Sequence, residues 1–521
     1  MTETSGPALY ARFLRGLALS PDKAAVRLAT ETITYSQAHE LALLWAGSLL
    51  AAEKPPTIIG VLAGKGVESY VGILAGLYTG ATVVPLHPDF PVVRTRRMLE
   101  LSGVSALIVD DLGYAALPEI FGTELDIPVL APRRAPGADD LIRSIPVDPA
   151  RALISPRPVQ STDTAYMLFT SGSTGRPKGV PITHGNTSHY FGLLDERYDF
   201  TADDVFSQTF DLNFDCAMFD LFCAWGAGAS ISYVPPAAYR DLPEFVASQG
   251  ITVWFSTPSA ISLIRKMGGL TPDSMPSLRW SFFAGEALRM SDTADWQAAA
   301  SASTVENLYG PTELTVTVTG HRWEPATSPS QGINGLVPIG EIHEGHEFLL
   351  VTEDGGLSEV EGELCITGPQ MTAGYLDPED NIGRFLERDG KTWYRTGDRV
   401  RSLDGGVLVY LGRLDAQVQV QGWRVELAEI EHALRECAGV DDAVTVTRSV
   451  DGNTELVVFY TGAVTSPVEL GRQLRKILPV GMLPRHYEHV AEFPLNSNRK
   501  VDRPTLASQA SELLVAAGGK G

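Results

Sequence analysis

Residues 166–180 read YMLFTSGSTGRPKGV, an apolar run that passes directly into small and hydroxyl-bearing residues. The run predicts a buried strand, and the Thr, Ser and Gly residues after it predict a loop with unobstructed backbone N–H groups. Such a loop forms a cradle for phosphate oxygens, with a lysine nearby for charge. The candidate phosphate ligands are Thr170, Ser171, Gly172, Ser173, Thr174, Gly175 and Lys178. A flexible Gly/Ser surface loop is the alternative for such a stretch taken alone.

On both sides of this loop, short β-branched runs alternate with helix-like stretches, as in TIIGVLAG, TVVPLH and ALIVDD between residues 57 and 111. The alternation predicts an α/β fold with largely parallel strands, and its recurrence between residues 229 and 288 predicts a second sheet subdomain. Beyond Gly340, short strands and turns indicate a small β-rich subdomain. A boundary is expected near Asp415, which separates a core domain at 1–412 from a small α+β domain at 415–521.

Within that tail, VQVQGWRVELAEIEHALREC predicts a strand leading into an amphipathic helix, and TELVVFYTG predicts another strand. LGRQLRKILPVGMLP predicts a further helix, closed by proline.

Bulk properties exclude several classes of protein. A formal net charge of −22 without a basic run argues against a nucleic-acid partner. The chain has no apolar run long enough to span a bilayer and no export signal, so we expect a cytoplasmic protein without a membrane partner. The cysteines lack CxxC spacing, and His343 and His346 are three rather than four apart, so neither a disulfide framework nor a metalloprotein is indicated. The cysteines are Cys216, Cys223, Cys365 and Cys437.

Further motifs follow the loop in order. They are NLYGPTE at 307–313, YRTGD at 394–398, GRLD at 412–415 and NRKVDR at 498–503. The Walker A pattern GxxxxGK[ST] is absent from the loop at 170–178, which weighs against ordinary γ-phosphoryl transfer. With these motifs, almost the whole chain resembles the adenylate-forming superfamily, which includes acyl-CoA synthetases, luciferases and the adenylation domains of nonribosomal peptide synthetases.

The resemblance implies an ATP-dependent ligase and a role for each matching residue. Tyr309 should pack on the adenine, and Asp398 should accept hydrogen bonds from the ribose hydroxyls. Glu313 should hold Mg²⁺, a cation that prefers hard oxygen ligands. The remaining nucleotide-binding positions are Asn307, Gly310, Thr312, Tyr410 and Arg413.

Lys500 is implied as the catalytic residue of the first half-reaction, because an ammonium can stabilise charge that develops between the carboxylate and the α-phosphate. The family usually has glycine where this chain has Arg499. Asp415 occupies the position of the family's hinge, about which the tail domain swings for the second half-reaction. After the swing, the strand at 418–425 should face the active site, with Gln419 and Trp423 at positions where the family has a lysine and an aromatic residue.

The substrate class depends on residues 214–222, FDCAMFDLF. Asp215 matches the aspartate that pairs with the substrate ammonium in amino-acid adenylation enzymes, and a buried carboxylate in an apolar wall implies a cationic guest. Asp211 or Asp220 is the alternative. The register places the other pocket positions at Cys216, Phe219, Phe255, Phe282, Ala284, Gly285, Leu308, Val316 and Thr317. Three phenylalanines leave little space, which favours alanine, then glycine or serine, then proline; alternatively, some of them belong only to the core.

The chain has neither a fused carrier segment nor a condensation-type HHxxxDG motif, and it resembles a free-standing adenylation enzyme. We expect a loader of natural-product biosynthesis that passes the aminoacyl group to a separate carrier protein with a phosphopantetheine arm. The acceptor is either the carrier thiol or the amino group of a carrier-bound aminoacyl chain, as in macrolactam antibiotic pathways. Alternatives are a D-alanine:carrier protein ligase of cell-wall modification, a prolyl-carrier ligase, an acyl-CoA synthetase or a non-enzymatic binding protein.

Overall fold

A computed structural model describes residues 8–122, 126–134, 143–172, 176–414, 417–450, 453–494 and 501–518. The described residues form two compact units. The first contains those of Met1–Pro88, Arg96–Phe169 and Gly179–Leu414. The second contains those of Asp89–Thr95, Thr170–Lys178 and Asp415–Gly521.

The larger unit contains a nine-stranded sheet whose six central strands are parallel. Its strands in spatial order are Glu341–Ile342, Thr319–Arg322, Thr304–Tyr309, Trp280–Phe283, Val253–Ser256, Val205–Gln208, Ser230–Tyr233, Ala24–Arg27 and Thr32–Thr34. The carboxyl ends of parallel strands meet at one edge of a sheet, where α/β proteins bind ligands. Asn307, Leu308 and Tyr309 lie at that end of their strand.

A second sheet has six strands, and the strand pairs with a described register are parallel. In spatial order they are Val129–Leu130, Ala106–Val109, Ile58–Leu62, Thr82–Leu86, Thr164–Thr170 and Lys178–Thr183. The interior strands are buried almost throughout, which explains their continuous apolar sequence. The sequence-based prediction of two largely parallel α/β sheets is confirmed.

Local sequence sets where the helices begin. Thr34 with Gln37, and Thr183 with Asn186, form capping boxes that satisfy free backbone N–H groups at two helix starts. The helices outside the tail are Ala11–Leu19, Tyr35–Leu50, Val67–Tyr78, Val92–Ser102, Asp111–Phe121, His184–Arg197, Asp215–Ala227, Leu242–Gln249, Pro258–Lys266, Met290–Ala299 and Ser328–Gln331. None of the helices in the described part of the chain is long and apolar enough to cross a membrane.

The predicted β-rich subdomain beyond Gly340 is an antiparallel six-stranded sheet. Its strands are Glu347–Val351, Leu357–Ser358, Glu361–Thr367, Phe385–Arg388, Lys391–Ser402 and Leu408–Arg413. The register places Asp398 opposite Arg413, so two of the predicted nucleotide-binding residues are cross-strand neighbours.

The second unit contains a two-stranded hairpin and a three-stranded sheet with helices. Its strands are Gln417–Val420, Trp423–Glu426, Val440–Val450, Asn453–Gly462 and His486–His489, and the helices of the tail are Leu427–Arg435, Pro467–Leu474 and Arg503–Gly518. Two sequence-based predictions were wrong here. The single strand predicted from VQVQGWRVE is a hairpin, and the helix predicted over residues 470–484 begins at Pro467 and ends at Leu474.

Candidate active site

Tyr309, Asp398 and Arg413 form one hydrogen-bonded group in the larger unit. The Tyr309 hydroxyl donates to Asp398 Oδ2 at 2.6 Å, and Arg413 Nη1 donates to Oδ1 at 2.9 Å. Burial, followed by the Asp398 charge, raises the pKa of Tyr309 well above its usual value, so the phenol stays a neutral donor. A carboxylate offers about four lone-pair sites, so this pairing orients Asp398 and still leaves it acceptor capacity.

Three further residues that were predicted to bind the nucleotide lie on or beside the strands that carry Tyr309 and Arg413. Asn307 Nδ2 donates to the carbonyl of Pro338 at 2.8 Å, which commits its amide N–H to the protein. Gly310 packs so closely on the next segment that a Cβ atom there would lie 2.6 Å from Thr317 Cα. Tyr410 lies on the same strand as Arg413, opposite Val400.

Glu313 lies in a short 3₁₀ turn, Thr312–Leu314, and is fully buried. The hydroxyl of Tyr375 donates to Glu313 Oε1 at 2.5 Å, and the Tyr394 hydroxyl lies 3.3 Å from that of Tyr375. Sequence analysis missed Tyr375, although a Gly-Tyr pair in the loop after a strand offered a weak signal.

A magnesium ion fits this chemistry only if the protein and the substrate phosphates hold it together. Among the described residues, no group of three or more His, Cys, Asp and Glu side chains could hold a metal. Mg²⁺ commonly takes one or two carboxylates and completes its shell with substrate phosphates and water. Glu313, held in place by Tyr375, fits that pattern.

Asp215 is the first residue of the helix Asp215–Ala227. It is buried, and its Oδ2 atom has no hydrogen-bond partner among the described residues. Burial is the largest cause that raises its pKa to about 6; hydrogen bonds from Thr312 and the Cys216 backbone oppose the shift, and the charge of Glu313 adds to it. The carboxylate therefore lies within electrostatic reach of Glu313, and one of its oxygens is free to bind a cation.

The two alternative aspartates have different surroundings. Asp211 is partly exposed and lies 3.5 Å from Lys65 Nζ, so the protein itself supplies a cation. Asp220 is fully buried with neither oxygen hydrogen-bonded, and burial raises its pKa well above its usual value, opposed by the charge of Lys65. Neither interacts with Thr312 or Glu313 in the way that Asp215 does.

The three pocket phenylalanines contact one another edge to face. Ring centroids lie 4.9 Å apart for Phe219 and Phe255, and 5.2 Å apart for Phe219 and Phe282. Phe255 and Phe282 are register partners on adjacent strands. All three are at most 1% exposed and belong to the largest apolar cluster, so they are core residues as well as candidate pocket residues.

The remaining predicted pocket residues differ in burial and backbone. Ala284, Leu308, Val316 and Thr317 are buried, and Cys216 is partly exposed. Gly285 has a φ of +87°, a conformation that glycine adopts without strain.

The start of the phosphate loop is tightly folded. A Cβ atom on Gly172 would lie 2.2 Å from the Arg176 carbonyl oxygen and 3.0 Å from Lys178 Cε, so only glycine fits there. Thr170 ends a strand, and Lys178 is buried at the start of another. Ser173, Thr174 and Gly175 lie outside the described residues, as do Asp415 and Lys500.

Comparisons with known proteins agree with this fold. A family model described as AMP-binding enzyme matches residues 13–376. Phenyloxazoline synthase MbtB from Mycobacterium sp. is 31% identical over 97% of the chain and 42% of its own length. The chain thus spans less than half of this relative, and 7% of tyrocidine synthase 3 from Brevibacillus parabrevis. An L-proline--[L-prolyl-carrier protein] ligase from Pseudomonas fluorescens is 31% identical over 96% of the chain and 99% of its own length.

Two solved structures are similar along nearly their full length. The crystal structure of IdnL7 is 54% identical with a TM-score of 0.76, and each chain is 99% covered. The adenylation domain AlmE from Vibrio cholerae, solved with glycyl-adenosine-5'-phosphate, is 28% identical with a TM-score of 0.85, over 98% of this chain and 99% of that one. The sequence-based assignment to the adenylate-forming superfamily is confirmed, and the chain belongs to the AMP-binding enzyme family.

Proposed function

We propose that this chain adenylates a small amino acid with ATP and then transfers the aminoacyl group to a carrier protein. The observation that carries the proposal is Asp215, a buried carboxylate that has one unpartnered oxygen and also interacts with Thr312 and Glu313. An uncompensated buried charge is costly unless a partner arrives, and a substrate ammonium group supplies that partner. Its electrostatic coupling to Glu313 favours a position beside the reacting carboxylate and the phosphates.

The packed phenylalanines support a small side chain. Phe219 contacts both Phe255 and Phe282, so a larger substrate would have to displace rings that also belong to the core. The glycyl-adenylate in AlmE is in line with a small substrate, whereas the prolyl-carrier ligase keeps proline as an alternative. We favour alanine, with glycine or serine next.

In the first half-reaction, the substrate carboxylate attacks the α-phosphate and pyrophosphate leaves. Asp398, oriented by Tyr309 and Arg413, would hold the ribose, and the phosphate loop would hold the phosphate oxygens. Glu313 would hold Mg²⁺, which when bound supplies charge neutralisation on the phosphates. Lys500 would stabilise the charge that develops between the two reacting anions.

In the second half-reaction, the acyl carbon passes to a nucleophile of the carrier and AMP leaves. The proposal assigns Asp415 as the hinge that moves Lys500 away and brings the strand with Gln419 towards the adenylate. Trp423 packs against Gly481 within the second unit, where an added Cβ atom would lie 2.1 Å from the indole nitrogen. The ligase that acts on a prolyl-carrier protein supports a carrier as acceptor.

Amino-acid-dependent pyrophosphate exchange tests the proposal. The panel holds the proteinogenic amino acids in both D and L forms, together with fatty and aryl acids. We expect the highest rate with alanine and measurable rates with glycine and serine, because selection by size alone is weak. A D-alanine preference would support the cell-wall ligase, and exchange driven only by acids without an amino group would contradict the proposal.

The acceptor needs a separate measurement. Mass spectrometry of a phosphopantetheinylated carrier, with and without a prior aminoacyl load, would show whether the thiol or the amine is acylated. Efficient formation of aminoacyl-CoA without carrier loading would instead support an acyl-CoA synthetase.

A further inference from the structure

Two consecutive β-branched residues have positive φ angles, +58° at Thr315 and +69° at Val316, and Val316 belongs to the proposed substrate pocket. Such residues rarely adopt this conformation, and strain of this kind persists only where the surrounding structure enforces it. The Thr317 N–H donates to the Thr315 carbonyl at 3.0 Å, which makes Val316 the centre of a strained three-residue turn.

One buried side chain binds this turn. Gln370 is fully buried, and its Nε2 atom donates to the carbonyls of Leu314, Thr315 and Thr317 at 3.0, 3.3 and 2.9 Å. The Thr315 hydroxyl donates a hydrogen bond to the backbone carbonyl of Gln370 at 2.6 Å. An amide nitrogen has two N–H donors, so two of the three carbonyls share one of them, and together the three contacts hold the turn at both ends.

The segment that carries Gln370 is itself anchored. Asn186 Nδ2 donates to the carbonyls of Pro369 and Met371 at 2.7 and 3.2 Å, and the Thr372 N–H donates to the Glu313 carbonyl at 2.8 Å. Gly310 also packs against the Thr317 backbone, without room for a methyl group. The turn therefore has little freedom to shift.

We propose that Gln370 is a positioning residue for substrate selection: its amide holds the Thr315–Val316–Thr317 turn in a strained conformation that fixes the size of the acid pocket. The inference rests on the proposed function only in placing Val316 and Thr317 in that pocket. Gln370 itself touches carbonyls and not the substrate, so it acts through the turn.

The test replaces Gln370 with methionine, which keeps length and volume but donates no hydrogen bond. Pyrophosphate exchange is measured with the best acid of the panel and with its homologue that carries one more methylene. We expect the KM for the acid to rise on the order of tenfold while the KM for ATP changes less than about twofold, and the preference for the smaller acid to shrink towards unity.

The matched control is Gln297→Met. Gln297 Nε2 also donates to two backbone carbonyls, those of Ala300 and Ser303, but at the other end of the strand from Tyr309. This control should change neither KM nor the preference between the two acids. Equal losses for ATP and for both acids in Gln370→Met, or no change in either KM, would overturn the proposal.

If Gln370→Met does not fold, Thr315→Val removes the hydroxyl that bonds to the backbone carbonyl of Gln370, a second bond between the turn and this segment. It should reduce the preference for the smaller acid in the same way, by a smaller factor. Because the test uses whichever acid the enzyme turns over best, it remains valid if that acid is not an amino acid. An acid without an amino group would refute the proposed function, whereas an unchanged size preference would refute the positioning role.

Discussion

At the scale of single residues, the helix Asp215–Ala227 carries two buried carboxylates with different surroundings. Asp215 interacts with Thr312 and Glu313 of the candidate nucleotide site, whereas Asp220 has neither oxygen hydrogen-bonded and only the charge of Lys65 to oppose burial. The sequence placed both aspartates in one motif and predicted Asp215, with Asp211 or Asp220 as the alternative. The neighbours Thr312 and Glu313, which the tertiary fold brings to Asp215, favour that residue.

Asp220→Asn should stabilise the protein increasingly as the pH rises. The folded-state pKa of Asp220 lies well above its unfolded value near 3.8, so the folded state retains a proton that the unfolded state has lost. The wild type therefore loses stability from about pH 4 upward until the folded-state pKa is passed. We expect the variant to be more stable than the wild type at pH 8 and almost equally stable at pH 4.

Thermal melting at both pH values checks this, with Asp211→Asn as the control, because Asp211 is partly exposed and has Lys65 nearby. A gain for Asp220→Asn that is the same at both pH values would contradict the assignment of an unpaired buried carboxylate.

The candidate nucleotide-binding residues were assigned from motifs because each motif is contiguous in sequence. Gln370 and Tyr375 could not be predicted in this way. Gln370 contacts carbonyls more than fifty residues earlier in the chain, and Tyr375 is 62 residues from Glu313. Such long-range pairing depends on how the β-rich subdomain packs, and no local pattern indicates it.

At the scale of elements, the short apolar runs of the sequence predicted the parallel strands well. Strands such as Ile58–Leu62 and Val253–Ser256 are buried and almost wholly apolar. The hairpin at Gln417–Glu426 was missed because its Gln-Gly turn interrupts a run of alternating residues only briefly. Both turn residues have positive φ, +50° at Gln421 and +84° at Gly422, which is the pattern of a two-residue hairpin loop.

Gly422→Ala should therefore destabilise the second unit by about 1 kcal/mol, because an alanine at positive φ is strained. Gln421→Asn should instead stabilise the second unit, since asparagine tolerates a positive φ better than glutamine does. Chemical denaturation followed by circular dichroism would measure both changes in stability. Equal stabilities for the two variants would contradict the turn geometry.

The helix expected over residues 470–484 was predicted too far along the chain, since it spans Pro467–Leu474. Ser466 caps the helix by accepting from the Glu469 N–H, and Pro467 occupies its first turn, so the helix begins earlier than the apolar pattern indicated. Pro479 and Gly481 then disfavour continuation to residue 484.

At the scale of the whole molecule, the proposed reaction divides its work between two units. Lys500→Ala should lower amino-acid-dependent pyrophosphate exchange by a factor on the order of a hundred or more, because the developing charge loses its cation. Transfer from a supplied aminoacyl-adenylate to the carrier should persist. Lys476→Ala, an exposed lysine of the same unit, is the control; loss of both half-reactions in Lys500→Ala would contradict the assigned role.

The most direct test of the central claim compares alanine with propionate, which lacks only the amino group, in pyrophosphate exchange by the wild type and by Asp215→Ala. If Asp215 binds the substrate ammonium, the wild type should prefer alanine strongly, and the variant should lose alanine activity by a factor of about a hundred while its propionate activity stays or rises. Asp220→Asn should keep the wild-type preference. An Asp215→Ala enzyme that still prefers alanine as the wild type does would contradict the account.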